Sequence, residues 1–295
     1  MGALIGLLLF VTAPFRWLKG LLPVIAALTL VAPAQAAAPG AVISCQFTGQ
    51  QDFFDPIVEP GVFPSAHRHT FYNVRIDESM DDAELLAEPQ NCGVGGNHSG
   101  YWIRGLEEDG VDLVPGINAS GGGPDYLVYY RCKHNASVCG SIEWFPPETG
   151  FVVGNAHASS AAENPLLNSG GDLSGYRCGT GGGQFAPTPP TTCDSGRLVA
   201  AAVYGNCLYP DGRVSELTNS NCTMSGGQPI LRLQQYFRFW VGTGPVGTIT
   251  LDGGAPSWQL HADARIAWDP DTSAAFLAEC VHDLTPCPND PILPE

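Results

Sequence analysis

The chain has 295 residues, 10 cysteines, only 14% charged residues and a formal net charge of −16 at pH 7. A strongly negative protein repels nucleic acid and anionic membranes, so the composition excludes a nucleic-acid-binding protein and makes a strongly anionic polymer an unfavourable substrate. The length fits one all-β domain or at most two small domains.

The first 36 residues have the pattern of a secretory signal peptide. Two basic residues precede the apolar run 21–32, and small residues ending at Ala36 form a cleavage site. A second apolar run over residues 4–11 indicates either a start placed too far upstream or a retained membrane anchor. We expect cleavage near Ala36, which leaves one secreted β domain over residues 37–295. Its net charge is −18, because the leader carries two positive charges and no negative ones.

A histidine pair follows a turn-rich stretch in the segment DPIVEPGVFPSAHRHTFYN, residues 55–73. His67 and His69 are one residue apart, so on a strand both imidazoles would lie on the same face. Two imidazoles on one face form half of a metal site, an acid/base pair or simply a polar surface. The local spacing leaves these three interpretations open.

The even number of cysteines behind a signal peptide predicts five disulfides in an oxidising compartment. A structural zinc site is less favoured, because the sequence contains no Cys-x-x-Cys motif. Closeness in sequence predicts four local pairs and leaves the fifth by elimination: Cys132–Cys139, Cys178–Cys193, Cys207–Cys222, Cys280–Cys287 and Cys45–Cys92.

Short β-rich segments separated by Gly, Pro, Asn and Ser clusters fill most of the chain. Many short strands at turn-marked intervals predict an all-β fold, a disulfide-stapled β-sandwich or jelly-roll-like domain. One short C-terminal helix is predicted over residues 272–282, because Asp269 suits an N-cap and Pro270 the first helical position.

Two of these segments, 230–241 and 258–268, alternate apolar and polar residues along their length. The alternation predicts strands with one buried and one polar face. The polar faces are rich in planar donors and aromatic rings, which suit a polyhydroxylated ligand; a solvated face with ion pairs is the alternative. The predicted polysaccharide-binding residues are Arg232, Gln234, Arg238, Trp240, Gln259 and Arg265.

Six motifs occur in the order of a known family: DPIVEPG, SAHRH, the pair Tyr101-Trp102, ETGFVVGNA, YGNCLYPDGR and WQLHADARIAWD. Over roughly residues 45–283 the chain resembles the secreted domain-of-unknown-function family numbered one-nine-nine-six, found in fungi, often beside carbohydrate-binding WSC domains, and in actinobacteria. The resemblance implies secretion, an all-β domain and a cell-wall or polysaccharide setting. The family pattern matches at Asp55, Pro56, His67, His69, His261 and Asp263.

The chain departs from the family pattern after the YGNCLYPDG motif. The family usually has a further histidine-containing segment there, whereas this chain reads RVSELTNSNCTMSGG. If the missing histidines complete a metal or catalytic site in the family, the site of this protein is depleted. The departure favours a protein without catalytic activity.

Two chemistries fit the histidines. In the first, His67, His69 and His261 bind one divalent metal ion, with Asp55 or Asp263 as an oxygen ligand. In the second, a histidine beside a carboxylate transfers a proton without a metal. The predicted catalytic residues are His261, Asp263, Asp55 and Tyr236. The two aspartates serve a hydrolase, and Tyr236 with His261 loosely resembles polysaccharide lyases, by analogy only.

The sequence therefore predicts a secreted, monomeric protein that acts on extracellular or cell-wall polysaccharide. Its polar strand faces and the loop PSAHRHTF form one His/Asp cleft, which serves a polysaccharide hydrolase or lyase. The alternative is a non-catalytic protein that binds wall glycan or a divalent metal ion. Esterase, nucleotide-binding and redox-cofactor motifs are not found in the sequence.

Overall fold

The computed structural model describes residues 38–116, 124–167, 174–179, 184–215 and 220–291. The signal-peptide prediction, and with it the domain boundary at residue 36, falls on residues 1–37, outside these ranges, and stays a prediction. No helix within the described ranges combines the length and the apolar character needed to cross a membrane.

Strands dominate the described residues. In chain order they are β1 (Gly40–Cys45), β2 (Phe47–Asp52), β3 (His69–Asn73), β4 (Gly100–Arg104), β5 (Leu106–Glu108), β6 (Val111–Asp112), β7 (Tyr126–Arg131), β8 (Gly150–Gly154), β9 (Gly175–Cys178), β10 (Thr192–Cys193), β11 (Arg197–Val203), β12 (Cys207–Leu208), β13 (Val214–Ser215), β14 (Gln228–Pro229), β15 (Arg232–Trp240), β16 (Gly244–Pro245), β17 (Ile249–Leu251) and β18 (His261–Arg265). The helices are α1 (Asp82–Ala87), α2 (Ala136–Cys139), α3 (Ser220–Met224) and α4 (Pro270–Phe276), with short 3₁₀ turns at Ala161–Glu163, Asp252–Gly254 and Ser257–Gln259.

Two five-stranded antiparallel sheets form the body of the fold. The first sheet has the order β1-β7-β15-β11-β9, and the second has the order β2-β3-β4-β18-β8. Along β15, buried and half-buried residues alternate without exception, as the apolar–polar pattern of the sequence predicts. Smaller sheets join β5, β6 and β17, then β12, β13 and β14, and finally β10 and β16.

The inner faces of the two sheets share one buried core. Leu233 and Phe237 of the first sheet belong to the same apolar cluster as Ile103 and Ala262 of the second. Across this core the Gln235 side chain donates a hydrogen bond of 3.3 Å to a backbone carbonyl of β18. The predicted all-β sandwich is therefore confirmed.

A second, smaller apolar cluster covers the outer face of the second sheet. Phe71 and Trp102 project outward from β3 and β4, with ring centroids 5.8 Å apart, and Phe54 stacks on Phe71 at 4.8 Å. Leu85 of α1 is buried in the same cluster. Because this packing fixes Phe54 against the sheet, it also holds the segment between β2 and β3, which contains Asp55 and His67.

The predicted covalent framework and the predicted C-terminal helix are both confirmed. All five disulfides have the predicted pairing. The Asp269 carboxylate caps α4 by accepting hydrogen bonds from the backbone amides of Asp271 and Thr272, and Pro270 occupies the first turn. A π-helical turn, Leu277–His282, continues α4 toward the chain end.

Candidate metal centre

Three histidines meet at the outer face of the second sheet. His69 is the first residue of β3 and His261 the first residue of β18, and β4 lies between these two strands. Successive side chains of a strand point to opposite faces. Thr70 and Ala262, the residues next to these two histidines, face the main core, so both imidazoles project to the outer side. His67 enters from the loop that precedes β3.

The imidazole Nε2 atoms point at one another. His261 Nε2 lies 3.1 Å from His67 Nε2 and 2.9 Å from His69 Nε2. The three rings are steeply inclined to one another, with interplanar angles of 63°, 82° and 84°. Rings in this arrangement direct their nitrogen lone pairs toward one common point rather than stacking.

Asp55 adds an oxygen to the three nitrogens. Its Oδ1 accepts hydrogen bonds of 3.1 and 3.0 Å from the backbone amides of Ile57 and Val58, which fixes the carboxylate in a tight turn. Its Oδ2 lies 3.7 Å from His69 Nε2. One ligand atom from each of Asp55, His67, His69 and His261 lies within 4.8 Å of every other. We call these four residues the His/Asp centre.

Burial keeps the imidazoles of the centre neutral. It lowers the pKa of His67 to about 4 and that of His261 to about 3, and the positive charge of Arg104 contributes to both shifts. Burial likewise brings the pKa of His69 well below its usual value. Neutral imidazoles keep a nitrogen lone pair, which is the form that binds a metal ion.

The tautomer of His69 follows from its second hydrogen bond. His69 Nδ1 lies 2.8 Å from the Phe54 backbone oxygen, which can only accept, so we assign the proton to Nδ1. Nε2 of His69 then carries a lone pair aimed at His261. A backbone carbonyl on the distal nitrogen is the usual way in which a metal-binding histidine is oriented.

The four residues of the centre differ in their exposure to solvent. His67 is half-buried, whereas Asp55, His69 and His261 are buried. Arg104 lies next to the centre: it pairs with His69 in the register of β3 and β4. Its Nη1 donates to Gln259 Oε1 at 3.4 Å. The sequence did not identify Arg104 as a site residue. The one sequence feature that points to it is its parity along the strand, which it shares with Trp102.

Asp263 lies beneath His261 and is closed off from solvent. Its Oδ2 is 3.8 Å from His261 Nε2, and the side chain is fully buried. Burial, followed by the neighbouring negative charge of Asp55, raises the pKa of this carboxyl well above its usual value. Neither carboxyl oxygen has a hydrogen-bond partner among the described residues. Asp55, which belongs to the group of ligand atoms within 4.8 Å of one another, is the better placed oxygen ligand.

The prediction of one polar cleft that combines the two strands is wrong. β15 and β18 lie in different sheets, and both bury their apolar faces in the same core. Their polar faces must then point in opposite directions. The predicted residues on the outer face of the first sheet, away from the His/Asp centre, are Arg232, Gln234, Tyr236, Arg238 and Trp240.

The two remaining predicted ligand residues are on the side of the centre. Gln259 bridges Arg104 and the backbone oxygen of Ala158, to which its Nε2 donates at 3.2 Å. Arg265 Nε donates to Asp82 Oδ1 at 3.0 Å, and the guanidinium also pairs with Glu148. The pair with Asp82 anchors α1 to β18, so Arg265 has a structural role in this structure.

The fold and the site define a disulfide-rich β-sandwich with a buried His/Asp cluster, and five disulfides indicate an extracellular protein. A family model described as "Domain of unknown function (DUF1996)" matches residues 55–228, more than half of the chain. The chain belongs to this family, as the sequence motifs predict. His261 lies beyond the matched range. No curated protein and no solved structure matches the chain.

Proposed function

We propose that this protein is a secreted carbohydrate-active protein whose His/Asp centre binds one divalent transition-metal ion. His67, His69 and His261 supply nitrogen ligands and Asp55 supplies an oxygen. The observation that carries the proposal is the convergence of the three Nε2 atoms, at 2.9 and 3.1 Å from His261. Three neutral imidazoles and a carboxylate suit zinc, copper or a related first-row ion.

Without a metal ion, the three imidazoles cannot all form hydrogen bonds with one another, and this supports the proposal of a bound ion. His261 Nε2 faces two other Nε2 atoms, and a single proton there can serve only one of them. A tetrahedral ion with bonds of about 2.1 Å separates its ligand nitrogens by roughly 3.4 Å. Shifts of a few tenths of an ångström in the rings would therefore accommodate such an ion.

The surroundings of the centre suit a reaction at its open side. A bound ion would polarise a substrate oxygen or lower the pKa of a water molecule. His67 is the half-buried ligand, so a sugar hydroxyl or glycosidic oxygen would approach past its ring. Arg104, held by Gln259 and the backbone oxygen of Asp252, would stabilise negative charge that develops there.

A non-catalytic protein is the second candidate, and one observation favours it. Three of the four ligand residues are buried, and they come from two strands and the turn before β3. An ion bound there would join these elements and stabilise the fold, as structural metal ions do. In that case the protein binds metal or wall glycan without transforming it.

Metal analysis of the purified protein tests the centre. We expect one tightly bound ion per chain in the wild-type protein and none in the His67→Ala/His69→Ala variant, because two of three nitrogen ligands are removed. The matched control is His98→Ala/His282→Ala, which removes two histidines that bond only backbone oxygens in the described structure. A wild-type protein that takes up no ion from zinc, copper or calcium solutions would overturn the proposal.

Product analysis separates the two candidates. If the protein is an enzyme, we expect it to release reducing ends from at least one polymer of a polysaccharide panel and to lose this activity in the His261→Ala variant. Full metal occupancy without product from any polymer would instead support the non-catalytic protein. Product release that His261→Ala leaves unchanged would place the reaction outside the His/Asp centre.

A further inference from the structure

The outer face of the first sheet concentrates positive charge on a negative protein. Beyond Arg16 and Lys19 in the predicted leader, the chain has 11 lysines and arginines against 29 aspartates and glutamates. Six of the 11 lie on this face or at its edge. We call them, with the aromatic residues between them, the basic face: Arg131, Lys133, Arg177, Arg197, Arg232 and Arg238.

The charge of the basic face is not balanced from within the sheet. None of the five strands β1, β7, β15, β11 and β9 contains an aspartate or glutamate. Asp125, just before β7, is within electrostatic reach of Arg197 and Arg238. It is half-buried, so it offsets part of the charge at one end. The five strands of this sheet therefore carry only positive formal charges, in contrast to the net charge of the chain.

Strand register brings the cations together in rows. Arg131 and Arg232 are direct cross-strand neighbours. Arg177 and Arg238 both pair with Val199 from opposite sides, so the three side chains form one row across β9, β11 and β15. Like charges directly opposite each other destabilise a sheet. An anion bound beside such a row can interact with more than one guanidinium group.

Aromatic rings hold the guanidinium groups in place. Arg131 stacks on Tyr129 at 4.7 Å, and Arg177 lies 4.4 Å from the Phe185 ring and 5.5 Å from that of Tyr236. Stacking fixes the plane of a guanidinium group, and a guanidinium group in a fixed plane suits bidentate binding of a carboxylate. It also presents ring faces beside the charges, and such faces pack against the apolar side of a sugar ring.

We propose that the basic face binds an extended polysaccharide that carries carboxylate groups. The face runs the length of β15, nine residues or about 27 Å, which suits a chain rather than a single small anion. Alternating guanidinium groups and aromatic rings match the alternating carboxylates and ring faces of a uronate polymer. Duplex nucleic acid is disfavoured, because its charge, about one per 1.7 Å of helix axis, meets strong repulsion from the acidic remainder of the protein.

The biological role of this surface rests on the proposed carbohydrate function. It extends that function by naming the class of polymer that the protein binds. It is separate from the His/Asp centre, because the two lie on opposite outer faces of the sandwich. The basic face therefore holds a polymer and takes no part in chemistry at the centre. Binding at the basic face and metal content are separate measurements, so each can fail without the other.

Equilibrium binding to polygalacturonate at low ionic strength tests the basic face. The test variant is Arg131→Gln/Arg197→Gln, whose side chains form no ion pair or hydrogen bond with a described residue. They lie toward opposite ends of the face. We expect the Kd to rise about tenfold or more, because charge-assisted hydrogen bonds are lost at both ends, and metal content to stay at the wild-type value. The control is Arg75→Gln/Arg213→Gln, which removes the same charge from two exposed positions elsewhere and should leave the Kd unchanged.

The fully methyl-esterified polymer provides the matched ligand, because it keeps the backbone and loses the charge. We expect it to bind at least about tenfold more weakly than polygalacturonate. Equal binding of the two polymers, or equal Kd values for the two double variants, would overturn the proposal. Tighter binding of single-stranded DNA than of polygalacturonate would also overturn it, in favour of a nucleic-acid surface.

Discussion

Replacement of Cys45 and Cys92 by serine is expected to lower the free energy of unfolding by about 4 kcal/mol, under a chain-entropy account of cross-links. The bond closes a segment with a sequence separation of 47 residues, and a longer closed loop restricts the unfolded chain more. The same account gives about 2 kcal/mol for Cys132–Cys139, whose separation is 7 residues. Urea unfolding of the two double variants under identical non-reducing conditions measures both values.

The comparison between the two pairs is the informative part of this experiment. Each variant replaces two cysteines with serines, and the Cys45, Cys132 and Cys139 side chains are all buried, so the change in side-chain chemistry is similar. The Cys45–Cys92 bond additionally links the end of β1 in the first sheet to the segment before β4 in the second. Equal losses in the two variants would show that loop length does not set the contribution of these bonds.

Local sequence signals were sufficient for the framework of the fold. Pairing the nearest cysteines gave all five disulfides, because four of the bonds close loops of 7 or 15 residues. Strand parity in β15 and the N-cap at Asp269 were also predicted, since both depend on neighbours in the chain. The alternation of side chains along a strand also predicted that His67 and His69 lie on the same side of the sheet, although His67 precedes the strand.

The arrangement of the faces could not be predicted in this way. Alternation shows that β15 and β18 each have a polar face, but only the sheet topology shows that these faces point in opposite directions. Tyr236 and His261 were therefore wrongly placed in one cleft. Arg104 was missed for a related reason: its position beside His69 follows from strand register, and the sequence does not encode that register in any short motif.

The choice between the two candidate carboxylates also required the structure. Asp263 is nearer to His261 in sequence, and its Oδ2 lies 3.8 Å from His261 Nε2, yet it is not one of the four residues whose ligand atoms all lie within 4.8 Å of one another. Asp55 is 206 residues away from His261, and a turn that binds its Oδ1 to two backbone amides directs its Oδ2 toward His69. Tertiary packing of Phe54 on Phe71 brings that turn to the sheet.

Substitution of Asp263 by asparagine is expected to weaken metal binding by about tenfold to a hundredfold, the range for residues that support metal ligands. Its Oδ2 lies 3.8 Å from His261 Nε2, which is close enough for a carboxylate to attract a bound cation. Asparagine keeps the shape and lacks the negative charge. Competition with a chromophoric chelator measures the change, and Asp194→Asn, at an exposed position, is the matched control.

Stability of the metal-free protein distinguishes this electrostatic role from a structural one. Neither carboxyl oxygen of Asp263 has a hydrogen-bond partner among the described residues, so Asp263→Asn removes no such bond. Burial raises the pKa of this carboxyl well above its usual value, so its ionisation opposes folding at neutral pH. We therefore expect Asp263→Asn not to lower the free energy of unfolding measured in excess chelator. A loss would mean that the carboxyl supports the fold itself. Unchanged metal affinity would mean that Asp263 contributes no charge to the centre, which would leave Asp55 as the carboxylate that attracts the ion.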